Sequence, residues 1–518
     1  MQANNTIERI VIVGGGAAGW LTASILAASC QRKGKPQQQI VLVESADVPI
    51  LGVGEGTWPT MRGTLQKIGI DETSFMTACD ASFKQGTAFH QWQDAGSNNQ
   101  YYHPFSLPFN YFDSDCAHWW QASQIELDFA HAVSTQATLC DYQLAPKQAD
   151  TPPFAGVVNY GYHLDANKFV ALLQQHATTR LGVQHIVDYV DSVEGNSDEH
   201  ISALNLRQYG RLTADFFVDC SGFTARLIGQ HYGIPLTSCK HMLANDSAIA
   251  LPCDYADKQA NFASVTRSTA QPEGWIWDIP LPSRRGIGYV YSRQYCSDEQ
   301  AKVRLASYIQ ADASLAITDI HSARVIRFEP GYRQTAWQHN CVAIGTAAGF
   351  LEPLEASALV MIELAATHLA EQLPQLSQQC AAAARQFNQS FSSKWQRIVD
   401  FLKLHYVLSS RNDSDYWRAM QHRDSASSQL QDWLCLWQTR SPNANDFAFR
   451  DEIFPAASYL YVLYGMGFRT ERMTPGESLA DAHKLNASWQ KHQHQLRQQL
   501  SGLPANRQLL NQLFSPQK

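Results

Sequence analysis

Residues 10–20, Ile-Val-Ile-Val-Gly-Gly-Gly-Ala-Ala-Gly-Trp, decide the fold. The β-branched run Ile10–Val13 predicts a buried strand, Gly14-Gly15-Gly16-Ala17-Ala18-Gly19 follows as GxGxxG, and Trp20–Ser29 is small, apolar and helix-compatible. A second apolar strand, Ile40–Val43, ends in Glu44. Strand, glycines, helix, strand and acid in that order make a dinucleotide site. Gly14 permits the tight turn, Gly16 lets the backbone approach a pyrophosphate, and Gly19 lets the helix pack close to the strand. Glu44 can accept a hydrogen bond from a ribose hydroxyl. It lies beyond the usual spacing, so the polar stretch Gln31–Gln39 is predicted to be a long loop between helix and strand.

Two later pieces repeat the strand-then-glycine pattern: Phe216–Val218 runs into Asp219-Cys220-Ser221-Gly222, and Val342-Ala343-Ile344 runs into Gly345-Thr346-Ala347-Ala348-Gly349. Flavoproteins of the hydroxylase type are built from such discontinuous pieces with a substrate-facing sheet between them. Short alternating stretches in 101–215 and 240–330 are expected to form that sheet. After about residue 390 helical periodicity takes over, in Phe391–Leu408, Leu430–Trp437 and the Gln-rich Leu485–Leu513.

The bulk numbers exclude several classes. The 518 residues suffice for two or three domains with a large core. A net charge of −7 with dispersed basic residues argues against a nucleic-acid footprint or a polybasic membrane patch. Eleven scattered cysteines, with no CxxC pair and no His cluster at metal-ligand spacing, suggest reduced thiols and no metal site. Met1–Arg9 is polar and carries no secretory pattern, and the longest apolar helix candidate, Leu359–Leu373, is interrupted by Glu363 and His368. A soluble, cytoplasmic protein is expected.

Two further stretches carry chemistry. In Gly274-Trp275-Ile276-Trp277-Asp278-Ile279-Pro280, strand alternation puts Trp275 and Trp277 on one face and Ile276 and Asp278 on the other, and Pro280 closes the strand. On these seven residues alone the pair reads as core packing. In 345–366, the small residues Gly345–Gly349 can wrap a cofactor, Ser357 is expected to cap a helix beginning at Leu359, and the free amides of that turn can hold an anion. Glu355, just before it, is either an acid/base group or a carboxylate favoured by a helix N-terminus.

Gly14–Trp20, GVGEGTWPT (Gly52–Thr60), SFKQGTAF (Ser82–Phe89), GWIWDIP (Gly274–Pro280) and FLEPLEAS (Phe350–Ser357) occur together and in this order in the flavin-dependent halogenases related to tryptophan halogenase. The chain resembles that family over nearly its whole length, through DSDYWRAM (Asp413–Met420) and YLYVLYGMG (Tyr459–Gly467). The resemblance implies an α/β, Rossmann-type FAD-binding fold of the flavin monooxygenase and halogenase type, with an inserted β-rich substrate region and a helical C-terminal part. Residues 1–390 would form the FAD-binding part with its inserted sheet, and 391–518 the helical part around a substrate cavity. It implies Lys84 as the essential lysine and Glu355 as the second catalytic residue. Trp275 and Trp277 become a partition on the flavin side, and Gly52, Val53, Gly54 and Glu55 a strap over the cofactor. Gly14, Gly16, Ala17, Ala18, Gly19, Glu44, Gly345, Gly349 and Leu354 would line the cofactor, and the amides of Ser357 and Ala358 would receive chloride or bromide. FAD would arrive reduced from a separate NAD(P)H-dependent flavin reductase, since no second nucleotide unit is visible in the sequence. A homodimer is common in such folds.

The chain departs from the family where free-tryptophan enzymes read closer to Glu-Ser-Thr-Gly: here Glu355 is followed by Ala356, Ser357 and Ala358. Thr346 stands where many relatives carry Asp, and no clamp for the amino and carboxyl groups of free tryptophan is matched in the tail. The expected substrate is therefore indole or another electron-rich aromatic, with bromide accepted beside chloride. The competing expectations are a flavin-dependent aromatic hydroxylase and a flavin-binding protein without turnover.

Overall fold

The computed structural model describes residues 6–32, 38–47, 54–96, 99–373, 379–449, 451–471 and 479–514. Gly52 and Val53 lie outside them. The chain divides into two compact units, each drawn from three stretches: Met1–Ala81, Leu164–Cys239 and Phe328–Trp395 in the first, Ser82–His163, Lys240–Arg327 and Gln396–Lys518 in the second. The inserted sheet thus groups with the C-terminal helices. The boundary expected near residue 390 falls inside the helix Cys380–Val407.

In the first unit six strands align in the order Trp337–Gln338, Cys341–Ala343, Phe216–Asp219, Arg9–Val13, Gln39–Glu44, Gln184–Val187. All neighbours are parallel except the first pair. Parallel strands covered on both faces need unbroken apolar runs, which Ile10–Val13 and Ile40–Val43 supply. The helix Ala17–Cys30 crosses between these two strands and is buried from Gly19 to Ser29, so it carries no polar face. It packs on the helices Ala166–Thr179 and Ser357–Gln372.

Glu363, read in the sequence as an interruption, is buried at 3% exposure inside the helix Ser357–Gln372. Its carboxyl accepts hydrogen bonds from Thr64 (2.5 Å) and Thr60 (3.2 Å) of the helix Thr60–Ile68. Burial pushes its pKa from 4.5 up to about 7, against the opposing pull of the two threonines. The folded chain therefore holds this proton more tightly than the unfolded chain, and the contribution to stability falls as pH rises from 4.5 through about 7. Glu363→Gln is expected to remove that fall, so the variant gains on the wild type more at pH 8 than at pH 5 in urea unfolding. An equal difference at the two pH values would contradict it.

The second unit is built on a seven-stranded sheet in the order Arg324–Arg327, Ser247–Asp254, Arg284–Tyr291, Gly274–Pro280, Thr266–Gln271, Gly86–His90, Gln100–Pro104. Residues 101–215 contribute to it less than alternation suggested. The segment after Pro104 forms the short helices Cys116–Ala122, Phe129–Val133 and Thr135–Asp141, started by the side chains of Asp115, Asp128 and Ser134. These caps satisfy free amides at each start, which strand-like alternation does not reveal.

The alternation of 274–280 holds. Ile276 faces the helix Asp298–Gln310 in a cluster with Ile249, Ile287 and Leu305. Asp278, on that same face, is paired with Arg285 and accepts from Tyr308 at 3.0 Å. Trp275 and Trp277 share the opposite face, with ring centroids 6.4 Å apart. There Trp275 meets Trp92, which in turn packs on His405, Tyr406 and Trp417. Trp277 lies over its cross-strand partner Gly288, where a Cβ would stand 2.1 Å from the indole. Gly288→Ala is therefore expected to displace that indole and destabilise the fold by roughly 1–3 kcal/mol. A thermal melt checks it, and an unchanged midpoint would contradict the contact.

Candidate active site

The glycine turn is shaped by what each glycine meets. Gly14 has φ +119°, and a Cβ on it would fall 2.1 Å from the carbonyl oxygen of Cys220. At Gly19 a Cβ would lie 1.8 Å from the carbonyl oxygen of Gly14, so the helix can start this close to the strand only without a side chain there. The Cβ direction of Gly16 is open, with nothing within 4 Å. Gly16 also precedes the helix Ala17–Cys30 with no side chain capping its first amides. An open approach to uncapped amides suits a pyrophosphate. Glu44 ends its strand against Gly15, with its Oε1 2.7 Å from His185 Nε2. Gly345, at φ +73°, brings the second glycine segment against Ala18. Gly349 pairs with Tyr332, and Arg333 holds the carbonyl of Ala347 at 2.9 Å. Gly14–Gly19, Glu44 and Gly345 thus follow or end neighbouring parallel strands at one end of the sheet, and the uncapped amides there fit the pyrophosphate of the expected cofactor.

Gly54 and Glu55 form the short strand Gly54–Gly56, where burial pushes the Glu55 carboxyl up to about 7. Leu354 and Glu355 are buried. The carbonyl of Glu355 accepts the indole N–H of Trp58 at 2.8 Å. The helix begins at Ser357 rather than Leu359, and its N-cap is Ala356, in the left-handed region at φ +53° with no side-chain bond. Ser357 therefore does not cap. It is the first helical residue, and the entry into the helix is made by the left-handed alanine before it. Ser357 is buried and Ala358 exposed.

In the second unit Lys84 closes the strand Ser82–Lys84, which runs antiparallel to His163, Tyr162 and Gly161. Its exposure is 1%, where a lysine is ordinarily solvated. The ammonium lies 5.5 Å from the ring centre of Phe105. Burial first, and the Lys84 charge second, hold the His163 pKa well below its ordinary value, and its Nε2 is 2.9 Å from Thr266 Oγ1. The strand is locked at both ends. Ser82 donates to the carbonyl of Pro280 at 2.6 Å, joining the lysine segment to the end of the tryptophan strand. Beyond Lys84, the buried Gln85 binds Ser264 and Leu144 through its amides. Phe105 and His163 went unnoticed in the sequence because nothing local marks them. Their strands meet Lys84 only through pairing across tens of residues.

Among the described residues no helix is long and apolar enough to cross a membrane.

A Rossmann-type sheet with an open glycine turn, joined to a second unit holding a buried lysine beside a paired-tryptophan strand, defines a flavoenzyme of the monooxygenase and halogenase type. The profile described as tryptophan halogenase matches residues 9–482. Tryptophan 6-halogenase SttH from Streptomyces toxytricini is 32% identical over 497 residues, covering 92% of this chain and 92% of its own. A solved tryptophan halogenase from Shewanella frigidimarina NCIMB 400 superposes with a TM-score of 0.94 at 42% identity, covering 99% of this chain and 98% of that one. BrvH, a flavin-dependent halogenase from Brevundimonas sp. BAL3, superposes at 0.85 with 31% identity, covering 98% and 99%. The chain belongs to the tryptophan halogenase family and is a flavin-dependent halogenase, an oxidoreductase.

Proposed function

We propose that the enzyme is a two-component halogenase that receives reduced FAD from a separate NAD(P)H-dependent reductase and halogenates indole or another electron-rich aromatic. Bound reduced FAD, with oxygen and chloride or bromide, supplies hypohalous acid. The amides of Gly14–Gly19 would hold the pyrophosphate, Glu44 the ribose, and Gly345–Gly349 would wrap the cofactor.

Lys84 aims the oxidised halogen, either by donating a hydrogen bond to hypohalous acid or by capturing its halogen as a haloamine with release of water. Glu355 stabilises the positive charge that develops on the arene, or accepts the proton that leaves it. The amides of Ser357 and Ala358 receive the halide. Trp275 and Trp277 act as a partition that keeps the aromatic away from the flavin, so the oxidant reaches the substrate as halogen and not as oxygen. The single observation that carries this reading is the burial of Lys84. An ammonium taken out of water costs stability unless its surroundings use it. The test is an incubation of the purified chain with FAD, a flavin reductase, NADH, oxygen, indole and bromide or chloride, in wild type and Lys84→Ala. Product retained by the variant would remove the lysine from its role.

A further inference from the structure

Trp58 touches the peptide that orients Glu355. Its Nε1–H donates to the Glu355 carbonyl at 2.8 Å, and that carbonyl belongs to the peptide plane joining Glu355 to Ala356. Fixing the plane fixes two torsions, ψ of Glu355 and φ of Ala356. The second is +53°, a conformation an alanine keeps only where its surroundings impose it. The indole is presented from a stiff base. Pro59 follows it as the N-cap of Thr60–Ile68 at φ −57°, and the amide of Met61 returns to the Trp58 carbonyl at 3.2 Å. The same helix is fastened further along by Thr60 and Thr64 to Glu363, two turns beyond Ala356. Three side-chain contacts therefore bind the segment from Trp58 to Thr64 onto the helix Ser357–Gln372 and the turn that starts it.

We propose that Trp58 is a positioning residue for halogenation: by gripping the Glu355–Ala356 peptide, its indole N–H sets the direction of the Glu355 side chain. The inference rests on the reading of Glu355 as a catalytic group. Phenylalanine keeps a ring at position 58 and removes the donor. The consequence is local, because the carbonyl is left without this partner and the left-handed alanine loses a restraint.

The test uses the full-length enzyme with FAD, a reductase, NADH, bromide and indole. Trp58→Phe is expected to lower kcat for bromination roughly tenfold, to leave the KM for indole and the FAD affinity from fluorescence titration within about twofold, and to raise peroxide released per turnover. In a Glu355→Gln background the same substitution is expected to cost nothing more, because the group it positions is already disabled. Trp58→His, whose ring keeps an N–H, is expected to lose less than Trp58→Phe. Unchanged kcat in Trp58→Phe, or losses that simply multiply in the double variant, would overturn the proposal. Wild-type bromination by Glu355→Gln would instead overturn the role of Glu355. If Trp58→Phe does not fold, Trp58→Met, which has no hydrogen-bond donor, serves the same comparison, with the same results deciding.

Discussion

Lys84→Ala is expected to abolish halogenation, by about 10³-fold or more, while FAD binding and peroxide formation persist. Lys84 belongs to the second unit, whereas the glycine turn and Glu44 expected to hold the cofactor belong to the first, and the lysine has no proposed part in binding FAD. Oxidised halogen would still form in the variant but would lack the group that aims it. Stability separates this role from a structural one. Lys84→Met fills the same space without the charge, and is expected to keep a cooperative melt while losing halogenation. A lysine kept for structure would give the opposite pair of results: a lower melting point and surviving activity. Product analysis and a melting curve on the two variants decide between them.

Glu355→Gln is expected to lower halogenation by about 10²-fold without weakening FAD binding. The substitution preserves shape, and the Trp58 bond reaches the backbone carbonyl, not the carboxylate, so the turn at Ala356 stays intact. On the proposed role, the variant would lack the negative charge that stabilises the cationic arene and accepts its proton. The effect should fall on kcat and leave the KM for the aromatic nearly unchanged, because the interaction strengthens only as charge develops. Steady-state kinetics at saturating FAD check it. A change confined to KM would assign Glu355 to ground-state binding instead.

The parts of this enzyme that were legible in its sequence are those written in contiguous residues. The glycine turn is readable because each glycine answers a local demand: Gly14 a positive φ, Gly19 a close approach, Gly16 an open path. The strand 274–280 was readable because alternation fixes which side chains share a face, and Trp275 with Trp277 do. Three things escaped. The two units interleave along the chain, and composition does not mark the crossings. The helix start at Ser357 depends on Ala356 adopting a conformation that propensity disfavours, so the cap was placed at the wrong residue. The surroundings of Lys84 come from Phe105, His163 and Pro280, which strand pairing and single hydrogen bonds assemble from distant segments. Without the family resemblance, Lys84 would have passed for a solvated surface residue.

The mass of the product formed from indole by the wild-type enzyme, with reduced FAD, oxygen and an equal mixture of chloride and bromide, tests the central claim most directly. Separation of oxidant from substrate, with delivery past Lys84, predicts indole carrying one halogen and its isotope pattern. Indole carrying one added oxygen atom and no halogen would show that the flavin reacts with the aromatic directly, and would contradict the account.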